Sequence, residues 1–463
     1  MISALTGKLP FSNVMMHGVV CDGRGKKMSK SLGNVVDPLN VINGRTLQEL
    51  IEDLKLSGLG LMSDKELQNA LTTLKTTFPS GIPKCGTDAL RFSLMHNDPT
   101  SHQLNVDVKF ISTCAAFCNK IWQASRFFLL SHERLHDSGD NNVSKVTKSS
   151  TVDWLISNYN LLRTEDKWIL SRFATTVKEV NMNFESRDFH LAARSLRLFL
   201  YTNLCDVYVE TSKPFLIDIS NQEFKIKYTV MKVCLLNSLK LLHPIMPYIT
   251  EELYQRILNG TTDQSKVLNQ SIMTTKYPNF VDWEYFISKN VTNNMNCALE
   301  IVSYIRSSKK MFDLKRSIKP EVTIVCDTKS ENISLSDDKM IVDISEFISV
   351  LAPCGTVNIV KKDKLISFEE SRYLDIVKNW WRRDIPCYNV AVYVDAADFI
   401  DAKEELIKLS SQRNKVIKDF EILKRKHEKG NDKPSDVKIE LFNTEMSLIN
   451  DKEKFLIQLQ QTC

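Results

Sequence analysis

No apolar run in the 463-residue chain approaches the ~20 residues that a membrane-spanning helix needs, so no such span is expected. The 11 cysteines contain no Cys-x-x-Cys pair, and no signal peptide is recognisable. A reducing compartment is the default, the cytoplasm first and the mitochondrion as the alternative. Cys114 and Cys118 stand one helical turn apart, and buried free thiols are expected there rather than a metal site. An excess of one charge is also lacking. A net +5 is mild at this length; it is compatible with nucleic acid without arguing for it. What remains is ordinary globular material: 43% hydrophobic residues can bury a core, and the length suits about three domains.

One stretch carries chemistry: Gly25-Lys26-Lys27-Met28-Ser29-Lys30-Ser31-Leu32-Gly33-Asn34-Val35-Val36-Asp37-Pro38. Lys27 and Lys30 lie three apart, with Ser29 and Ser31 beside them. Gly23, Gly25 and Gly33 let the backbone approach a ligand closely. Val14–Val20 ahead of the run reads as a buried strand, and Asp37-Pro38 behind it as a turn or helix start. A strand feeding a mobile basic loop suits a polyphosphate, because lysine ammonium groups are flexible point charges. By composition alone such a stretch is more often a solvated loop.

The letters overturn that bland reading. Lys27-Met28-Ser29-Lys30-Ser31 resembles, residue for residue, the signature loop of class I aminoacyl-tRNA synthetases. The flanks Pro10-Phe11, His17-Gly18, Asp22-Gly23 and Leu32-Gly33-Asn34-Val35-Val36-Asp37-Pro38 are similar too. The resemblance implies a loop of Lys27, Met28, Ser29, Lys30 and Ser31 that closes over ATP, with Mg²⁺ accompanying the nucleotide and no metal ligand from this chain. Lys30 would stabilise charge developing in amino-acid adenylation, where losing such a donor costs ~10²–10³ in rate. Lys27 would support the loop, and Ser29 and Ser31 would hydrogen-bond within it. The family's other signature, His-x-Gly-His, has no counterpart in a suitable context. The amino-acid pocket and editing domain would also lie upstream, so the chain looks like the C-terminal part of a larger synthetase.

Residues 44–80 carry apolar positions at helical spacing and read as an amphipathic hairpin. Asp88-Ala89-Leu90-Arg91 reads as a helix start capped by Thr87 or Asp88, and resembles the family helix after the signature loop. Phe117-Cys118-Asn119-Lys120-Ile121-Trp122 looks specifically like the valyl branch. Ser101-His102-Gln103 and Thr113-Cys114-Ala115 depart from it, each losing a basic residue. Polar, aperiodic 137–153 reads as a linker.

Residues 154–316 read as helical. Phe189, Ala192, Ala193, Leu196, Phe199 and Leu200 form a core stripe. Asp166–Arg172 and Leu242–Leu253 resemble runs of the anticodon-binding bundle; in the second, Pro244 and Pro247 end one helix and Thr250 begins the next. The basic stretch Arg306, Lys309, Lys310, Lys315, Arg316 and Lys319 is a candidate for touching RNA backbone. Val322–Cys326 and Val390–Val394 read as strands of a small α+β module, with a helix over Ile341–Ile348 between them. The last 66 residues read as an antiparallel coiled coil. One helix carries Leu406, Leu409, Val416, Phe420 and Leu423, interrupted by Arg413; its partner carries Phe442, Met446, Ile449, Leu456 and Leu459. Lys424, Arg425, Lys426 and Lys429 cluster near its tip, as in the tRNA-binding arm of valyl enzymes.

The expected fold is mainly α. It comprises the end of a class I Rossmann-like catalytic domain (1–43), a helical stem-contact region (44–136), an anticodon-binding bundle (154–320), the α+β module (321–397) and the arm (398–463). The resemblance implies a monomer that joins L-valine to tRNA(Val) using ATP and releasing AMP and diphosphate, with no membrane partner. Two alternatives stay open: a non-catalytic tRNA-binding fragment or degenerate copy, and an isoleucyl or leucyl enzyme.

Overall fold

In the computed structural model the described residues are all except 1, 30, 31, 33, 59–62, 138–151, 219–222, 260–270, 316, 327–337, 362–379, 386, 387, 396, 429–435 and 463. The chain is mostly helical and divides into two compact units: Met1–Leu162 with Asp166–Ser288, and Arg163–Glu165 with Lys289–Cys463.

The first unit opens with α1 (Ile2–Thr6) and β1 (Val19–Asp22). The strand expected over Val14–Val20 is displaced: Val14 and Met16 are 71% and 79% exposed, and only Val19 and Val20 of that run belong to β1. A strand extends only as far as its ladder. Here the described partner is β2 (Gln103–Val106), parallel, with Val19 opposite Gln103 and Asp22 opposite Val106. Just before the ladder the backbone passes so close to Ser101 that a Cβ at Gly18 would overlap its carbonyl, so only glycine fits there.

Pro38 opens α2 (Pro38–Asn43), and the Asp37 carboxylate accepts from Leu39 N, as the Asp-Pro signal predicts. The expected hairpin is α3 (Leu47–Gly58) and α4 (Asp64–Thr77), the second started by a reciprocal Ser63–Glu66 capping box. Then follow α5 (Thr87–Met95) and the 30-residue α6 (Val108–Asp137). Most of the expected linker lies outside the described residues, and its end already belongs to α7 (Val152–Ser157).

The bundle comprises α8 (Thr164–Ser186), α9 (Phe189–Arg197), a π-helix over Leu198–Tyr208, α10 (Val209–Ile217), α11 (Phe224–Leu242) and α12 (Pro247–Asn259). The stripe is core as expected: Ala192, Ala193 and Leu196 are fully buried, and Phe199 packs on Phe173, which meets Trp283 edge-on at 4.4 Å between ring centroids. The wider π turn keeps Phe199, Leu200, Asn203 and Leu204 on one buried face.

In the second unit α13 (Lys289–Met311) leads into a four-stranded sheet of β3 (Val322–Cys326), β4 (Val357–Lys361), β5 (Trp381–Ile385) and β6 (Val390–Val394), in the order β4-β3-β6-β5. The parallel β3–β4 pair is joined through α14 (Asp338–Leu351), and the other pairs are antiparallel. β3 is fully buried, and its Ile324 and Cys326 line a small internal space with Cys297 and Ile301 of α13 and Ile344 of α14. Arg163 reaches α14 through Asp343 at 3.3 Å and Glu346 at 2.6 Å, while Thr164 N donates to the Asp343 carboxylate. The chain then folds into α15 (Ala402–Glu428) and α16 (Asp436–Thr462). These two lie antiparallel: Phe420 stacks on Phe442 and Arg413 pairs with Glu453.

Candidate functional site

The loop is built around Asp22, the last residue of β1. Its backbone N–H donates to Lys26 O at 2.8 Å, and its Oδ1 accepts from Arg24 N and Lys26 N. Gly25 turns the chain at φ 78°, where a side chain would be strained. Cys21 and Lys27 then form an antiparallel bridge. Seven residues on, Asn34 returns to the same point. Its amide nitrogen donates to Asp22 Oδ2 at 3.0 Å and to Lys27 O at 3.2 Å, and its Oδ1 accepts from Ser29 N at 3.0 Å. Asn34 and Asp22 are 2% and 5% exposed, so this clamp is the buried floor of the loop. Burial would raise the Asp22 carboxyl, but the bonds from Asn34, Lys26 and Arg24 outweigh it and hold the group below the usual range.

Above the clamp, Lys26 and Lys27 are exposed, and Met28 and Ser29 are half-buried. Lys30 and Ser31 lie outside the described residues. Beside the clamp is a cleft of about 470 Å³ lined by Asp22, Arg24, Val36, Phe78, Lys109 and Ser112. Asn34 stands in the family-like flank but bears no chemistry of its own, and nothing in the spacing marks it as the partner of Asp22. Asn34→Ala is expected to leave Asp22 Oδ2 and Ser29 N unpartnered by that side chain, costing about 1–3 kcal/mol locally. Hydrogen exchange at the Lys26, Lys27 and Ser29 amides should rise roughly tenfold or more, and unchanged protection would refute the clamp.

A second construction joins the loop region to the bundle. Neither Thr87 nor Asp88 caps α5; Gly86 occupies that position at φ 83° and offers no side chain. Asp88 instead turns to α12, accepting from Ile249 N at 2.6 Å and Tyr248 N at 3.4 Å. One turn on, Arg91 donates to Ile245 O at 2.9 Å and Pro244 O at 3.1 Å. α12 therefore starts at Pro247, three residues before the expected Thr250, because its cap arrives from another helix. Thr250 lies inside the helix, its hydroxyl donating to Met246 O and meeting His243 Nδ1 at 2.7 Å.

The basic stretch divides. Arg306 donates twice to Leu351 O, at 3.1 and 2.7 Å, and buried Lys309 donates to Ile318 O and Pro353 O. Lys309 is thereby taken up in the interior of its own unit, which corrects the expectation that it faces RNA, whereas Arg306 stays exposed beside the end of α14. Lys310, Lys315 and Lys319 remain exposed, and Arg316 lies outside the described residues. In the hairpin every named seam residue is buried or half-buried, and Lys424 sits over the Phe420 ring at 5.1 Å. The side chains of Arg425 and Lys426, and all of Lys429, lie outside the described set. Cys114 is buried and Cys118 half-buried on α6, and burial pushes their thiols up to about 11 and about 12.

A clamped lysine loop at the end of a parallel strand, followed by a helical bundle, agrees with two family matches. Residues 1–107 match "tRNA synthetases class I (I, L, M and V)", and residues 166–324 match "Anticodon-binding domain of tRNA ligase". These matches place the chain among the class I tRNA synthetases. Within that class its relatives are valine–tRNA ligases, and the chain is consistent with the C-terminal part of one. It is 33% identical over 419 residues to the Caenorhabditis elegans valine–tRNA ligase, covering 90% of this chain and 37% of that one. The mitochondrial enzyme of Mus musculus is 30% identical over 459 residues, 98% of this chain and 39% of that one. The mitochondrial enzyme of Saccharomyces cerevisiae is 37% identical over 313 residues, 68% and 26%. The chain thus spans well under half the length of these relatives.

Proposed function

We propose that the chain supplies the ATP loop and the tRNA-binding half of a valine–tRNA ligase, which forms valyl-tRNA(Val), AMP and diphosphate from L-valine, ATP and tRNA(Val). The observation that carries this is the valyl relatives' match over 90% of the chain, taken with the loop floor at Asp22 and Asn34. In this reading Lys30 binds the ATP phosphates and stabilises the developing charge, Lys27 supports the ATP loop, Met28, Ser29 and Ser31 complete it, and Mg²⁺ travels with the nucleotide. Catalysis rests on positioning and charge, so no nucleophile is needed from this chain. The domain limits 1–43, 44–136, 154–320, 321–397 and 398–463 belong to the same reading. So do the coiled-coil arm against the tRNA elbow, a monomeric state and a cytoplasmic address. Mitochondrial relatives keep the other address in play. No helix among the described residues is long and apolar enough to cross a membrane.

The test is binding of the 463-residue polypeptide to tRNA(Val) and tRNA(Ile) at two salt concentrations. Preference for tRNA(Val) is expected. Equal, salt-sensitive binding would leave only the electrostatic contribution and remove the valine assignment from this half. A second reading, a tRNA-binding fragment without ligase activity, is favoured by the departures at Ser101-His102-Gln103 and Thr113-Cys114-Ala115, each losing a basic residue of the valyl pattern. ATP–pyrophosphate exchange by the polypeptide alone would exclude it.

A further inference from the structure

The root of the terminal helical hairpin holds a buried cation that the heptad pattern does not account for. Lys452 on α16 falls between the seam residues Ile449 and Leu456, where an apolar residue belongs. Its side chain is 9% exposed. Nζ donates to Glu405 on α15 at 2.9 Å and to Met311 O, the last carbonyl of α13, at 2.8 Å. It also lies 4.9 Å from the centroid of the Phe312 ring. Around it Phe312, Trp381 of β5 and Phe455 of α16 form a triangle of edge-on and tilted rings with centroids 5.2–5.8 Å apart. One ammonium therefore ties both helices of the hairpin to the end of α13, and the rings tie the hairpin to the sheet.

We propose that Lys452 is a positioning residue that fixes the direction in which the hairpin leaves the sheet, and so aims its far end at RNA. This rests on the reading of the hairpin as a tRNA-binding arm. The physical ground is the difference between adhesion and direction. Apolar packing at the root holds the hairpin on but tolerates rotation, whereas an ion pair that also caps a helix end has one geometry. A buried pair of this kind contributes little net stability against apolar residues of the same size; its established use is to select register. Two binding surfaces on one chain reinforce each other only while their geometry lets both engage.

The experiment uses the full chain with azidophenylalanine at Asn358 of β4 and at Ser447, both exposed, labelled for single-molecule energy transfer. Lys452→Met keeps the length and packing of the side chain but not the charge. The expected result is a lowered melting temperature, because Glu405 and Met311 O each lose a donor, and, well below the melting transition, a broadened distance distribution and tRNA(Val) binding weakened about tenfold or more. Lys452→Arg should restore a single narrow distribution. A narrow distribution in Lys452→Met would overturn the proposal, because the rings alone would then set direction. A broadened distribution with unchanged tRNA affinity would overturn the link to RNA and with it the reading of the hairpin as an arm. If Lys452→Met fails to fold, Glu405→Gln tests the same contact without removing the ammonium, with the same two outcomes.

Discussion

Lys227→Met is expected to destabilise the helical bundle by about 3–5 kcal/mol, the cost of stranding a buried charge. Lys227 and Asp166 are both 0% exposed, and Nζ meets the carboxylate at 2.9 Å. Tyr208 OH donates to the same Oδ1 at 2.7 Å, and the ammonium lies over the Tyr208 and Phe215 rings. Asp166 stands in the first turn of α8, where the helix end favours an anion. Methionine fills the space of the lysine chain but takes this ammonium away from the buried carboxylate. Adding Asp166→Leu and Tyr208→Phe to Lys227→Met should recover most of the loss, since matched apolar replacement of a buried pair is often neutral. Urea denaturation followed by helical circular dichroism measures both. A single-variant loss below about 1 kcal/mol would mean that the pair is dispensable.

Asp88→Ala should cost about 1–2 kcal/mol in the first unit, because it takes the acceptor from the Tyr248 and Ile249 amides at the start of α12. The pH dependence has a definite sign. Burial lifts the Asp88 carboxyl above the usual range, against the two N–H donors and Arg91. The folded state therefore holds this proton more tightly than the unfolded chain. The contribution is fully present below the unfolded pKa of about 3.9 and is lost as pH rises through the higher folded value. Asp88→Asn keeps an acceptor and has no proton to lose. It should cost less than Asp88→Ala and remove this falling segment from the stability profile. A stability–pH curve identical to that of the parent would contradict the assignment.

Local signals were legible and long-range ones were not. Asp37-Pro38 gave its cap, the stripe from Phe189 to Leu200 gave its core face, and the 3-4 spacing gave both hairpin helices, because each depends on neighbours within a turn or two. Asp88 read as a cap for its own helix, and only the fold reveals that its acceptor serves α12, 160 residues away. Lys309 read as a candidate for RNA contact because no pattern announces that the Ile318 and Pro353 carbonyls wait beside it. The loop's letters were plain from the start, but its floor depended on Asn34 folding back on Asp22, a pairing that spacing alone does not specify.

The Asp88–Ile249 bond spans 161 residues, and that separation has a meaning in time. A ribosome adds ~5–20 residues per second, so α5 emerges roughly 8–30 s before the helix it must cap has been made. Throughout that interval the aspartate and Arg91 face a missing partner, and the segment that carries the lysine loop waits on translation for its anchor. Any pause in decoding between the two lengthens the exposure, and the nascent chain is open to chaperones for that long.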